Sequence, residues 1–497
     1  MHRPHVAAVL ALAVLTACGG GGGSGAPPEK PVIGTQPQSQ AVVEGHAATF
    51  TVAATGSDLT YQWSRDGADI AGATSASYAL ASPTTGDSGA AFRVTVTNAG
   101  GAVTSDPATL SVNPAHDDAA ENWVGTWACA PYLSDTTDLT SAPMSGKLSN
   151  LTLRQIVHAS IGGDRIRLRL SNQYGTKPVE ILSAHVALSS GTTTIVVGSD
   201  RALTFDGVGT VTIPVGQEVT SDSIALTVPA VTNVAISLAF GSAVPNFTGH
   251  AGSRTNTYIV AGNRAGDQIL AGSTRVAHWY YIEGLEVVAP ETSRAVAVLG
   301  DSITDGRGST TDAQNRWPDV LAGRLAQDDA TREVAVLNLG VGGNNLLTGG
   351  SNLKSGKDRF DHDILGQKGV KWAIVFMGVN DIGGGATSDA LIAGYQQLVA
   401  EAHAAGLLVY GVPITPFGLS SYDDTPNHTH LATRDTVNAW IRGAGHFDGV
   451  IDFDPTVADA AHPTQIDPAY LFENDHLHFN ADGYAAMGQS IDLSLFQ

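Results

Sequence analysis

Two all-β regions followed by an α/β region built on a parallel sheet is the fold class the sequence predicts, and three observations predict it. The chain has 497 residues, too many for one hydrophobic core when a domain takes about 100 to 200 residues. From about Pro31 to Asn113, and again from Trp123 to about Pro290, short alternating apolar and polar stretches are separated by Gly, Asp and Ser turns, the pattern of half-buried strands. From Ser293 onward, short apolar strands instead alternate with helical patterns, which signals a parallel sheet with crossover helices. Composition agrees: hydrophobic residues make up 43%, charged residues only 15%, and Gly reaches 57 copies, which argues against coiled coil or global disorder.

The formal net charge is -21, so the long-range field repels phosphate backbones and excludes nucleic acid as a natural partner. The chain opens with His2, Arg3 and His5, then an apolar run from Val6 to Leu15. That is a signal peptide, too short to span a bilayer. Leu15-Thr16-Ala17-Cys18 resembles a bacterial lipobox. The resemblance implies a signal over residues 1–18, lipidation at Cys18, export, and anchoring to a bacterial membrane, the outer one, or cell surface, with residues 19–30 as a flexible Gly-rich tether. Plain secretion is the alternative. Of the two cysteines, Cys129 is then left without an intramolecular partner, and in its aromatic setting it reads as a small buried hydrophobe rather than a nucleophile.

Residues 31–113 hold strands such as Ala48 to Val52 and Phe92 to Val96. Tyr61-Gln62-Trp63, and Asp87-Ser88-Gly89 followed by Phe92, make this region resemble an immunoglobulin-like domain. Where that family has its inter-sheet disulfide the chain offers Phe50 and Val94, and Phe92 stands in place of the corner Tyr, so packing must hold the sheets. Spacing or adhesion is the expected role, with carbohydrate binding as an alternative. Pro114 to Glu121 is a polar linker. Residues 121–290 read as a second β-sandwich, an accessory domain, through stretches such as Arg165 to Leu170 and Val234 to Phe240. Arg165, Arg167 and Arg169 share one face of a strand, placed to pair with carboxylates or to line a site.

In residues 291–497 the predicted strands are Ala295 to Leu299, Val334 to Asn338, Trp372 to Met377, Leu407 to Val412 and Gly449 to Asp452; helices are predicted over Trp317 to Gln327, Ser388 to Ala405 and Arg434 to Arg442. Ligands gather at the carboxyl ends of such strands. Three polar clusters lie there: Gly300-Asp301-Ser302-Ile303-Thr304, Asn338-Leu339-Gly340-Val341-Gly342-Gly343-Asn344, and Gly378-Val379-Asn380-Asp381. A fourth, Asp475-His476-Leu477-His478, lies near the C terminus. A serine lifted above a sheet beside helix-start amides suits nucleophilic catalysis, and it needs a base that is itself oriented by an acceptor.

Together, the order and placement of these clusters resemble the SGNH hydrolase family, the GDSL esterases and lipases, over Ser293 to Gln497. The resemblance implies a three-layer α/β domain on a flavodoxin-like parallel sheet. It implies Ser302 as nucleophile, His478 as general base and Asp475 as orienting carboxylate. The oxyanion hole would comprise the backbone amides of Ser302 and Gly343 and the side-chain amide of Asn380. Gly343 is chosen over Gly340 and Gly342 by its distance from Asn338. His476 competes with His478, and Asp475 with two histidines could suggest a metal site, but no further ligand stands nearby in sequence; no metal is expected. His428 and His430 read as members of a solvated loop. No Gly-x-Ser-x-Gly elbow, P-loop or dinucleotide fingerprint is present, so no organic cofactor is expected.

The function expected is hydrolysis of carboxylic esters through an acyl-serine intermediate. The preceding strand-rich region resembles the accessory sandwich of an esterase branch associated with plant polysaccharide breakdown, which implies short acyl groups and acetylated polysaccharide as substrate. A surface adhesion or glycan-binding lipoprotein with a non-catalytic esterase-like domain is the alternative.

Overall fold

The computed structural model describes residues 29–115, 120–134, 148–241 and 247–497. Cys18, the signal segment and most of the Gly-rich tether lie outside the described residues. Among the described residues no helix is long and apolar enough to cross a membrane. The chain divides into two compact units. One comprises the described residues up to Ser39 with Thr49–Ala79 and Ala90–Thr109; the other comprises Gln40–Ala48, Leu80–Gly89 and the described residues from Leu110 to Gln497.

The first unit is all β. Thr60–Arg65 pairs antiparallel with Ala68–Asp69 on one side and Ala91–Asn98 on the other, and Gly101–Thr104 continues from there. Period-two alternation turns Phe92, Val94 and Val96 inward. They meet Trp63, which is fully buried and donates its indole N–H to the Ser75 carbonyl at 2.9 Å. Phe50 stacks on Phe92 at 4.5 Å, while Val94 pairs with Trp63 across adjacent strands. Aromatic burial does here what a crosslink would otherwise do.

In the second unit, residues 123–288 form two large antiparallel sheets. One places Gly163–Ser171 between Ile282–Val288 and the strands Glu218–Thr220 and Ile224–Val228, with Trp123–Ala128 outside Ile282–Val288. The other runs Val179–Leu188, Thr232–Phe240, Leu151–Ala159, Asn256–Ala261, Thr274–Ala277. Ile166, Leu168 and Leu170 point into the core, as the alternation requires, and the three arginines between them pair with carboxylates. Arg167 meets Glu286 at 2.6 Å, Arg169 meets Glu283 at 2.6 Å, and Arg165 lies 3.6 Å from Glu121. Of the two roles open to them, these contacts are the structural one.

Residues 294–450 supply the five-stranded parallel sheet. Its order is Val334–Gly340, Arg294–Gly300, Val370–Phe376, Leu408–Gly411, Gly449–Val450. All five predicted strands form, shifted by one or two residues at their ends. The helices are α1 (Ser302–Asp305), α2 (Trp317–Leu325), α3 (Gly356–Phe360), α4 (Val379–Gly383), α5 (Ser388–Ala404), α6 (Thr429–Ile441), α7 (Asp454–Val457) and α8 (Ala481–Ser490). Helix α6 begins ahead of the expected Arg434 because the Asp424 carboxylate accepts from the amides of Thr429 and His430 and so fixes its first turn. The shortest helices were not visible in the sequence, since four or five residues cannot display a 3.6-residue period.

The edge strand Val334–Gly340 is not bare. The amide of Val336 donates to Ser160 Oγ at 3.1 Å, and that hydroxyl donates to the Thr126 carbonyl at 2.7 Å. Gly125 presses so close to the same strand that a Cβ there would stand 3.0 Å from Leu337. One continuous apolar core accordingly runs from Val124 to Phe496. Covering an exposed edge in this way blocks strand addition from other chains and welds the β-rich region to the parallel sheet.

Candidate active site

The strand Arg294–Gly300 ends in Gly300, Asp301 is extended, and the chain turns at once into α1. Asp301 caps the turn by accepting from the Ile303 amide at 3.0 Å, and Gly306, left-handed at φ 91°, closes it. Burial pushes the Asp301 carboxyl up to about 7. Ser302 is therefore the first residue of a helix, with an amide that has no intrahelical acceptor.

Ser302 Oγ lies 2.8 Å from His478 Nε2, and His478 Nδ1 lies 2.7 Å from Asp475 Oδ2. The other Asp475 oxygen accepts from the amides of Leu477 and His478, each at 2.9 Å. A three-residue separation thus folds into one tight turn that aims the imidazole. Burial opposes ionisation of Asp475, yet the His478 and Leu477 amides hold its pKa below the ordinary carboxylate value. Burial also lowers the pKa of His478, with Arg307 and Arg254 adding to the effect and Asp475 opposing it. His476 sits on the same turn with φ 57°, and it is His478 that reaches Ser302.

After the strand Val334–Gly340 the chain turns, with Asn344 donating to the Val341 carbonyl at 3.2 Å and Gly343 at φ 72°, a conformation that favours glycine. Asn380 follows the left-handed Gly378 at the start of α4. Its side-chain N–H donates to the Asn344 carbonyl at 3.0 Å and its Oδ1 accepts from Tyr422 at 2.9 Å. The structure therefore joins Ser302, His478 and Asp475 in one hydrogen-bonded chain and links Asn380 to the Gly343 turn through Asn344. A cavity of about 230 Å³ opens beside Gly343, lined by Asn344, Asn345, Thr348 and Leu353 among others.

Several site residues escaped the sequence reading. Arg359 is buried and donates to the carbonyls of Gly300 and Leu339 and to Asn344 Oδ1, lacing together two strand ends and the Gly343 turn. Tyr422 orients Asn380. His250, in the β-rich region, places Nε2 2.9 Å from Asp305 on α1. None of these stands in a local pattern that marks it; each becomes meaningful only through a distant partner.

His428 lies exposed at the start of α6, and His430 Nδ1 faces the Tyr422 carbonyl at 2.8 Å. Among the described residues, Glu218, Glu283 and His362 are the one grouping whose ligand atoms, all within 4.8 Å of one another, could hold a metal. Both imidazole nitrogens are already engaged, Nδ1 with Asp363 at 2.7 Å and Nε2 with Glu218 at 2.6 Å, and Arg169 occupies Glu283. Burial works against charge on His362, but its hydrogen bonds to Asp363 and Glu218 push its pKa up to about 10. These side chains form an ion-pair network.

Residues 298–486 match the model of the GDSL-like Lipase/Acylhydrolase family. No curated protein matches the chain. Among solved structures, the chain is similar to a GDSL-like lipase from Bacteroides thetaiotaomicron VPI-5482, at 16% identity over 42% of this chain and 90% of that one, with a TM-score of 0.31. It is similar to the psychrotrophic esterase EstA from Pseudoalteromonas sp., at 16% identity over 40% and 94% with a TM-score of 0.30. It is also similar to the acetyl xylan esterase AlAXEase, at 17% identity over 39% and 96% with a TM-score of 0.31. The C-terminal region of this chain carries a domain of the GDSL-like lipase/acylhydrolase family.

Proposed function

We propose that the protein is a serine ester hydrolase in which Ser302 attacks the ester carbonyl, His478 takes its proton and Asp475 orients the imidazole. One observation carries this reading: the unbroken hydrogen-bonded chain Asp475, His478, Ser302. A serine hydroxyl is protonated at neutral pH and is a weak nucleophile, so a base in contact is the requirement the chemistry imposes. The lowered pKa of His478 keeps its Nε2 available to accept.

In the first half-reaction Oγ bonds to the carbonyl carbon as its proton passes to Nε2. The tetrahedral oxyanion is received by the amides of Ser302 and Gly343 and by the Asn380 side chain, each such donor contributing about 3 kcal/mol. Collapse expels the alcohol, which takes the proton from His478; water then enters by the same route in reverse and releases the acid. Tyr422, by donating to Asn380 Oδ1, fixes which face of that amide carries the N–H.

The substrate we propose is a short acyl ester, acetyl groups on plant polysaccharide included, on the strength of the sequence resemblance. Residues 31–113 serve as an immunoglobulin-like spacer and residues 121–290 as an accessory sandwich, with residues 291–497 as the hydrolase. Export and a lipid anchor at Cys18, on the outer membrane or cell surface, complete the proposal. Turnover of para-nitrophenyl acetate and release of acetate from acetylated xylan test it. Well-folded protein that turns over neither would support the adhesion or glycan-binding reading instead.

A further inference from the structure

Helix α3 is bonded to the turn that carries Gly343. Amides at a helix start have no intrahelical carbonyl to meet, and the first two of α3 donate to that turn instead: Gly356 to the Asn345 carbonyl at 2.8 Å and Lys357 to the Leu346 carbonyl at 3.2 Å. From the other side Asp381 of α4 accepts from the amides of Leu346 at 2.7 Å and Leu347 at 2.9 Å. Arg359 of α3 is thereby aimed at the strand ends. Its Nη2 donates to the Gly300 carbonyl at 2.9 Å, its Nη1 to the Leu339 carbonyl at 2.8 Å and its Nε to Asn344 Oδ1 at 2.8 Å.

These acceptors stand next to the three groups that would receive an oxyanion. Gly300 lies just before Asp301 and Ser302, Leu339 ends the neighbouring strand ahead of Gly343, and Asn344 follows Gly343 directly. Asn344 is buried, and while Arg359 holds its Oδ1, its Nδ2 donates to the Lys354 carbonyl at 2.8 Å. Its own carbonyl accepts one N–H of the Asn380 side chain at 3.0 Å, and Tyr422 holds Asn380 Oδ1 at 2.9 Å. A side-chain amide has two N–H groups. With one of them and the oxygen fixed, the direction of the other is set by where Asn344 stands.

Arg359 is buried together with its counter-ion, Asp363, at 2.8 Å. Asp363 also meets His362 at 2.7 Å, which in turn meets Glu218 of the β-rich region at 2.6 Å. Burial opposes ionisation of Asp363, and His362 and Arg359 outweigh it, holding its pKa low. A buried ion pair is often no more stabilising than apolar side chains of the same volume. What a guanidinium supplies here is direction, since one planar fork holds acceptors from three separate segments.

We infer that Arg359 is a positioning residue of the oxyanion hole, placing the Gly343 amide and the free N–H of Asn380 relative to Ser302 through Asn344 and the two strand ends. This role presupposes the ester-hydrolase reading of Ser302 and His478. Arg359 touches no reacting atom; it acts through the donors it aligns, so its removal should weaken the transition state and spare substrate binding.

Two variants test this. Arg359→Lys keeps the charge beside Asp363 but cannot reach three acceptors at once; Asn344→Ala keeps the Arg359–Asp363 pair and cuts the link to the turn. Each should lower kcat on para-nitrophenyl acetate about a hundredfold while KM stays within about twofold. Each should also weaken inhibition by a trifluoromethyl ketone in the same proportion. Serine Oγ adds to that carbonyl carbon, its proton passes to His478 Nε2, and the carbonyl oxygen becomes the oxyanion, so the inhibitor reads the hole directly. The acidic limb of kcat/KM, which follows His478, should not move. Folded variants that keep kcat and inhibitor affinity within about threefold of native, or that lose kcat without losing inhibitor affinity, overturn the inference. If Arg359→Lys does not fold, Asn344→Ala decides; loss of folding in both assigns these contacts to stability and overturns it too. A native protein that neither turns over the ester nor binds the ketone overturns the hydrolase reading itself, and the role of Arg359 falls with it.

Discussion

The 2.8 Å contact between Ser302 Oγ and His478 Nε2 makes two residue-level expectations sharp. Ser302→Ala should remove kcat by on the order of a millionfold, while Asp475→Asn, which leaves the base present but poorly oriented, should lose on the order of 10⁴-fold. Burst kinetics with para-nitrophenyl acetate, alongside a circular dichroism spectrum to confirm folding, would measure both; an Asp475→Asn variant worse than Ser302→Ala would contradict the assigned roles. The second expectation concerns pH. Burial holds His478 below its ordinary 6.5, so the neutral, proton-accepting form persists under mildly acidic conditions. The acidic limb of kcat/KM should therefore turn over below pH 6.5, and an inflection above that value would show that another group limits the reaction.

At the scale of elements, the geometry of α1 depends on how close the neighbouring strand end approaches it. A Cβ on Gly340 would stand 2.3 Å from the Asp305 amide nitrogen and 2.7 Å from the Thr304 carbonyl carbon. These are backbone atoms, so nothing soft can yield. Gly340→Ala should cost about 1 to 3 kcal/mol through overpacking and lower kcat more than it raises KM, because the shift displaces Ser302 itself. Thermal denaturation and steady-state kinetics on one preparation check this, and a variant with native melting temperature and native kcat would refute it. The five parallel strands, and the turns that end them, were legible in the sequence because apolar runs bounded by Gly, Asn and Asp are local signals. Arg359 was not, although it binds both Gly300 and Leu339. A lone Arg in an otherwise polar stretch looks like any solvated residue until the strand ends converge on it.

At the scale of the whole molecule, the ion-pair network around His362 ties together Glu218 and Glu283 of the β-rich region and Asp363 of the hydrolase region. His362 is pushed up to about 10, above its unfolded value near 6.5. A raised histidine contributes stability that is fully present below the unfolded pKa and is lost as pH rises through the folded one. The melting temperature should therefore fall between about pH 7 and pH 10, and His362→Gln should flatten that fall; an identical slope in both proteins would remove His362 from the account. Removal of the residues before Pro114 should leave kcat on small soluble esters within about twofold, since the proposed reaction draws on no side chain there. Loss of activity in a folded truncated chain would mean that the spacer reading is wrong.

The sequence by itself determined the order of β and α/β regions, the five sheet strands, and the candidates Ser302, Asp475, His478, Gly343 and Asn380. Each of these rests on a short run: a strand end, a Gly-rich turn, an acid three residues before a histidine. Only the tertiary structure decided that residues 123–288 share one core with the parallel sheet, and that His250 and Arg254 flank Asp305 across separations of 55 and 51 residues. Burial and electrostatics act through space, and partners so far apart along the chain leave no periodicity or spacing by which either could announce the other.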